Sequence, residues 1–356
     1  MKTILIILDG AGEEKIAELN NKTPLEYAFT PTLNKIAKEG FHKKTVFYPP
    51  GREPDSLTCI LSMLGVGHDL IPKNRAYLEA IAENIHIKDD EAVLRCNLIS
   101  YKDNLLESFN GKGLSVHEMA ESAKKIKTGN NLKFYHFGEY RNAIVVKKNI
   151  EITHLKDIPP HESLGKTMDC MLRPLEKISV LNEFICNNTF NLKNSNYMFY
   201  PWGVSEPSNL PLFSDIHNKA CSCVCHAGIV KGIAKAMGIT LARLNNSTGD
   251  TDTDLAEKAR TVLNEIKNTD TVIAHINGAD EVSHRKDLKG KIEFIEKTDK
   301  EFIKEIYENT DKSTRIIIAS DHQTSTITGK HEKGDVDIFS NYIIPEKGNI
   351  NKWLRL

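Results

Sequence analysis

The 356-residue sequence predicts an α/β fold, a mostly parallel sheet flanked by helices with a smaller α+β domain inserted into it. Three observations carry that prediction. The first is a set of three apolar runs, Thr3–Leu8, Thr271–Ile276 and 315–319, continuous enough for strands buried on both faces. The second is the helical patterning between them. Asp254 stands where an N-cap belongs, Glu257 is placed to bond back, and Leu255, Ala259, Val262, Leu263 and Ile266 recur at helical spacing. A second amphipathic stretch runs from about 288 to 307. The third is a change of texture between about 70 and 185, with short β-rich stretches at 133–137 and 143–147 and a Pro159-Pro160-His161 loop. The expected division is a core of 1–70 with 186–356, and an inserted domain of 71–185.

Composition narrows the function. Lys plus Arg (47) nearly cancels Asp plus Glu (48), which argues against nucleic acid or an anionic membrane as partner. No run approaches the ~18–20 apolar residues of a membrane span. The apolar run at the N-terminus stops at Asp9-Gly10 and has no small-residue cleavage site, so it reads as a strand and not as a signal peptide. Seven dispersed cysteines, an odd number, suit reduced thiols and a cytoplasmic location. Cys221, Cys223 and Cys225 alternate as on a strand and lack the spacing of common zinc or iron–sulfur motifs. Neither a phosphate-binding Walker loop nor a Gly-x-Gly-x-x-Gly fingerprint is present.

The residues suited to chemistry gather where strands end. In open α/β sheets, ligands collect outside the carboxyl ends of the strands. Asp9 follows the first apolar run, and Asp280 with His284 follows the second; on a helix those two would share one face. Asp321-His322 follows the third run, and His331 comes shortly after. An Asp after a strand is commonly a turn or cap residue, and a lone His is commonly a surface one. Placement at several strand ends of one sheet changes that balance. Carboxylates with imidazoles suit Mn²⁺ or Zn²⁺, and Mg²⁺ less well. A Pro/Gly-rich loop, 49–55, then leads into an apolar segment with Ser56 at its start. A helix beginning there would favour a phosphate or an alkoxide, although serine at a helix start is also an ordinary cap. Arg75, Arg95 and Arg141 fall in the inserted stretch and match carboxylate or phosphate oxygens.

Ordered segments along most of the chain resemble a known family. They include Leu8-Asp9-Gly10, Thr23-Pro24-Leu25-Glu26, Leu61-Ser62-Met63-Leu64-Gly65, Leu78-Glu79-Ala80, Arg95-Cys96-Asn97-Leu98 and Tyr140-Arg141-Asn142. Further on come Pro159-Pro160-His161-Glu162, Trp202-Gly203, Lys231-Gly232-Ile233, Asp280-Glu281 with His284, and Ser320-Asp321-His322 with His331. The chain resembles archaeal-type cofactor-independent (2,3-bisphosphoglycerate-independent) phosphoglycerate mutases, members of the alkaline phosphatase superfamily. The resemblance implies an alkaline-phosphatase-like core and two divalent ions, Mn²⁺ foremost, with Zn²⁺ or Mg²⁺ as alternatives. Asp280, His284 and His331 would hold one ion, and Asp9, Asp321, His322 and the Ser56 oxygen the other. Ser56 would be the nucleophile of a phosphoserine mechanism interconverting 3-phosphoglycerate and 2-phosphoglycerate. Arg75, Arg95 and Arg141, with His161 and Lys231, would grip a small phosphorylated anion.

The sequence departs from the family pattern in places. Asp55-Ser56-Leu57 stands where Gly-Ser-Asp is usual, and Asn74-Arg75-Ala76 where Gly-Arg-Gly is usual. These changes keep open a phosphohydrolase, or transfer to another small hydroxy acid such as homoserine. A non-catalytic binding protein on the same scaffold is a further alternative, opposed by the complete ligand set. Oligomeric state is not legible.

Overall fold

The computed structural model describes residues 1–342, in two compact units: Met1–Ile71 with the chain from Asn209 onward, and Pro72–Ser208. The strand Ser195–Ser205, beyond the expected boundary at 185, falls in the second unit because it pairs along Glu91–Lys102 in that unit's own sheet.

In the first unit, the run Thr3–Leu8 is a strand buried along its whole length. It lies between two parallel neighbours, Thr271–Ile276 and Arg315–Ser320, in a seven-stranded sheet. Unbroken Ile, Leu and Val on both faces is what such a position demands. Cys221–Val224 and Thr240–Leu241 continue the parallel side, whereas Val336–Ser340 and Phe41–Thr45 add an antiparallel edge. The expected mostly parallel α/β sheet is therefore present. Its register matters most: Leu8 pairs with both Ile276 and Ser320, so Asp9, Asn277 and Asp321 emerge side by side from one edge. Cys221, Cys223 and Cys225 are buried and free, as the strand reading expects.

Helices cover the sheet with their apolar stripes. Ile4, Ile6 and Leu8 meet Val262 and Ile266 of Leu255–Asn268, and Phe302 and Ile306 from the stretch after 288, in one core. Asp254 caps the first of these helices, its Oδ1 accepting from Glu257 N at 2.7 Å. The Glu257 carboxylate does not reach back. It accepts instead from Asn245 N at 2.6 Å and Ser247 Oγ at 2.6 Å, pinning the preceding loop. The amphipathic stretch after 288 is one continuous helical segment, Leu288–Thr298, a π turn Asp299–Ile303, and Lys304–Asn309. Asp299 is buried in that π turn, and its carboxylate accepts from Thr32 N (3.1 Å) and Leu33 N (2.7 Å) at the start of helix Pro31–Glu39.

The second unit is built on an antiparallel sheet in the order Leu132–His136, Arg141–Lys147, Glu91–Lys102, Ser195–Ser205, Thr189–Leu192. Helices Met168–Glu176 and Ser179–Asn187 bury Met171, Leu175, Leu181 and Phe184 in one core with Tyr197 and Phe199. Among the described residues no helix is long and apolar enough to cross a membrane.

Candidate active site and metal centre

The aligned strand ends build the site. Past Leu8 the chain turns through Asp9 and Gly10, the latter at φ +60°, a conformation glycine adopts without strain. Gly10 N donates to Asp321 Oδ1 at 3.1 Å, and His322 N donates to the same oxygen at 2.9 Å. Asp321 Oδ2 is left buried with no hydrogen-bond partner. His322 Nε2 stands 3.3 Å from Asp9 Oδ1 and 3.4 Å from Asp321 Oδ2.

The helix expected after the second strand exists, as Gly278–His284. It puts Asp280 and His284 on one face, with Oδ2 and Nε2 3.1 Å apart. Asp280 Oδ1 accepts from Thr324 Oγ1 at 2.6 Å and lies 3.6 Å from His331 Nε2, an atom that is buried and unpartnered. The His331 ring lies 4.2 Å from that of His322 and 5.1 Å from that of His284. Asp9, Asp321 and His322 form one group able to share an ion; Asp280, His322 and His331 form another. His322 thus falls within reach of both, while His284 meets the second group through Asp280.

Ser56 opens the helix Ser56–Met63 and is buried. It is not the cap. Asp55 caps the helix, its Oδ1 accepting from Thr58 N at 2.7 Å, which leaves the Ser56 hydroxyl available. The Asp55 backbone is extended at φ −141°, so the glycine usual in the related family is not required there. Ser56 Oγ lies 3.5 Å from Asp9 Oδ1 and 3.3 Å from His322 Nε2.

The buried carboxylates and imidazoles of this cluster shift one another strongly. Burial and the nearby Asp9 push the Asp321 carboxyl up to about 7. Burial opposes the imidazolium of His322, yet Asp321 and Asp9 raise it to about 10; against the same opposition Asp280 raises His284 to about 9. Burial and Asp280 push the Asp9 carboxyl up, but His275 and His322 hold it below the ordinary carboxylate range. His284 Nδ1 lies 2.9 Å from Gly329 O and, when it donates there, turns the Nε2 lone pair toward a carboxylate. Two acceptors facing each other need a proton or a metal between them. The orphaned Asp321 Oδ2 and His331 Nε2, with a mixed carboxylate–imidazole donor set, fit a divalent ion.

The remaining expected residues lie elsewhere. Lys231, on Gly228–Ala236, acts electrostatically on Cys225 and belongs to neither metal-binding group. In the second unit, Arg75 and Arg95 meet at Glu79, and the Arg95 guanidinium lies 4.3 Å over the Trp202 ring. The His161 ring lies 5.2 Å from Trp202. Arg141 is exposed, 3.5 Å from Glu139, and its charge is felt at Arg95.

Two contributors carry no role in the sequence reading. His275 is fully buried on Thr271–Ile276, its Nε2 3.1 Å from Asp9 Oδ2. An imidazole inside an otherwise apolar run was the available signal. Thr324, which bonds Asp280 and lies 3.2 Å from His322 Nδ1, leaves no such signal.

A sheet edge that gathers carboxylates and imidazoles beside a buried serine is an arrangement suited to a metalloenzyme. The chain belongs to the Metalloenzyme superfamily, whose model matches residues 1–340, and divalent-metal dependence goes with it. Within that superfamily it belongs to the family of 2,3-bisphosphoglycerate-independent phosphoglycerate mutases. The enzyme of that name from Methanococcus aeolicus is 30% identical, over 95% of this chain and 88% of its own length. The one from Pyrococcus abyssi is 29% identical, over 95% and 87%. A solved protein from Pyrococcus horikoshii shares the fold with a TM-score of 0.78 at 24% identity, covering 95% of this chain and 87% of that one.

Proposed function

We propose that the chain is a metal-dependent isomerase that interconverts 3-phosphoglycerate and 2-phosphoglycerate through phospho-Ser56, with Mn²⁺ as the working ion. The observation that carries this reading is the Ser56 hydroxyl, free of any capping role and held 3.5 Å from Asp9 and 3.3 Å from His322 at a helix N-terminus. The named activity of the relatives supports the substrate.

Asp280, His284 and His331 would hold one divalent ion, and Asp9, Asp321 and His322 the other. When bound, the pair offsets the charge of a dianionic phosphate and lowers the pKa of an adjacent hydroxyl. Ser56 Oγ gives up its proton and attacks phosphorus, the bond from phosphorus to the C3 oxygen breaks, and a proton is returned to that oxygen as glycerate forms. The glycerate reorients, its 2-hydroxyl attacks the phosphoserine and loses its proton, and Ser56 Oγ is released. Backbone N–H groups at the start of Ser56–Met63 favour the negative charge gathered there. Arg75, Arg95 and Arg141, whose guanidinium groups match carboxylate and phosphate oxygens, are the proposed grip on the anionic substrate.

The test is ³¹P NMR of purified protein with 3-phosphoglycerate and Mn²⁺. Appearance of 2-phosphoglycerate, abolished by chelator and by Ser56→Ala, supports the reading. Release of inorganic phosphate alone would replace it with hydrolysis. Inertness toward both phosphoglycerates, with turnover of O-phosphohomoserine, would replace it with another substrate.

A further inference from the structure

We propose that Glu79 is the positioning residue of an anion grip in the second unit, dividing one carboxylate between Arg75 and Arg95 so that both present their outer edges. The inference rests on the reading of this unit as the part that holds the anionic substrate.

Arg75 and Glu79 stand four residues apart at the start of helix Ala76–Ala82, with Arg75 Nε 3.3 Å from Oε1. Arg95 comes from the central strand Glu91–Lys102, its Nε 2.9 Å from Oε2. Each guanidinium thus makes its closest approach to Glu79 through Nε, one to each oxygen. No Nη atom of either arginine hydrogen-bonds to a described residue. Those Nη edges are the ones that pair side-on with a carboxylate or phosphate. The register of Glu91–Lys102 against Ser195–Ser205 shifts between Val93 and Arg95. Such an irregularity re-aims a side chain. The guanidinium carbon then stands 4.3 Å over the ring of Trp202, the cross-strand partner of Arg95. Its own indole is anchored, Nε1 donating to Asn97 Oδ1 at 2.9 Å, and Asn97 Nδ2 donating to Phe109 O at 3.0 Å. Arg95 is therefore held at its Nε by Glu79 and across its face by Trp202.

Charge alone and geometry alone make opposite predictions here. Arg75 and Arg95 share the one carboxylate of Glu79, and the charge of Arg141, itself 3.5 Å from Glu139, is felt at Arg95, an arrangement poised for an added anion. If Glu79 were only a counter-charge, removing it would strengthen anion binding, because one repelling carboxylate would be gone. If Glu79 positions the pair, removing it weakens binding, because two long side chains regain rotamer freedom that the ligand must then restrict.

The experiment compares wild type, Glu79→Gln and Glu79→Ala as full-length Mn²⁺-loaded protein. For Glu79→Ala we expect KM for 3-phosphoglycerate to rise about tenfold while kcat falls much less, with about a threefold rise for Glu79→Gln. A second readout needs no turnover. In a Trp353→Phe background Trp202 is the remaining indole. Its emission and acrylamide quenching should change in both variants without ligand, because Arg95 no longer covers the ring. Glu79→Gln carries the test if Glu79→Ala does not fold. An unchanged or lowered KM, or an indole signal identical to wild type, overturns the inference. Failure of wild type to isomerise 3-phosphoglycerate would overturn the functional reading instead, and the indole signal would still decide the role of Glu79.

Discussion

Gly10 lies so close to Asp280 that a β-carbon on it would stand 2.5 Å from Asp280 Oδ1 and 2.7 Å from Thr324 Oγ1. The end of the central strand and the helix Gly278–His284 approach each other because this residue has no side chain. Its φ of +60° adds a second demand for glycine. Gly10→Ala is therefore expected to push Asp280 out of place. Metal affinity should fall at least about tenfold, and stability by about 1–3 kcal/mol. Calorimetric titration with Mn²⁺ and a thermal melt of the same sample check both; wild-type affinity would count against the arrangement.

Lys291 is fully buried, its Nζ bonded to Glu13 Oε2 at 2.9 Å, Thr324 O at 2.8 Å and Gly12 O at 3.2 Å. Glu13 in turn accepts from Thr326 N at 2.6 Å and Oγ1 at 2.8 Å. One ammonium thereby joins the loop after Asp9 to the segment after His322. Lys291→Met leaves the carboxylate buried without its cation and should cost about 3 kcal/mol. It should also weaken Mn²⁺ binding, because Thr324 orients Asp280. Glu13→Gln in the same chain should recover part of the stability, measurable by urea denaturation.

Lys258 is also fully buried, with one long bond to Thr248 O at 3.4 Å. Burial lowers its pKa from 10.5 to about 8, Cys225 and Glu257 opposing. Below pH 8 folded and unfolded chains both carry the proton, and the cost of burying the charge is felt in full. Between 8 and 10.5 the folded chain releases a proton that the unfolded chain keeps, so this cost fades as pH rises. Lys258→Met should accordingly stabilise by on the order of 2 kcal/mol at pH 7 and by much less at pH 10. Paired denaturation curves at the two pH values decide it; a gain independent of pH would be inconsistent with a buried ammonium.

Asp299 caps a helix to which it does not belong. Asp299→Ala removes both bonds at Thr32 N and Leu33 N, and about 1–2 kcal/mol of stability should go with them. Turnover below the melting transition should stay at the wild-type level, since no proposed ligand touches this helix. Chemical denaturation alongside an activity assay separates the two effects.

The three buried strands are legible because a strand buried on both faces admits almost nothing but aliphatic residues. Asp9, Asp280, Asp321 and His322 are legible as candidates because ligands collect beyond the carboxyl ends of such strands. The pairing Leu8↔Ile276 and Leu8↔Ser320, which brings them together, is a property of the folded sheet and not of any local pattern. Ser56 was ambiguous for a local reason: a serine at a helix start is usually the cap, and only the bond from Thr58 N to Asp55 shows otherwise. Arg75 and Arg95 stand out in the sequence as candidate anion-binding arginines, whereas their junction at Glu79 depends on the approach of a helix to a distant strand. The π turn that buries Asp299 has no signature within a continuous amphipathic stretch.

The order of the strands along the chain has a consequence for biosynthesis. Thr3–Leu8 leaves the ribosome ahead of its two neighbours, which begin only at Thr271 and Arg315. At about 5–20 residues per second, this greasy hexapeptide remains without its partners for roughly 15–60 s. The antiparallel sheet between Pro72 and Ser208 has all its strands translated well before then. The nascent polypeptide thus exposes an aggregation-prone segment beside a module already able to close, the circumstance in which chaperone shielding matters most.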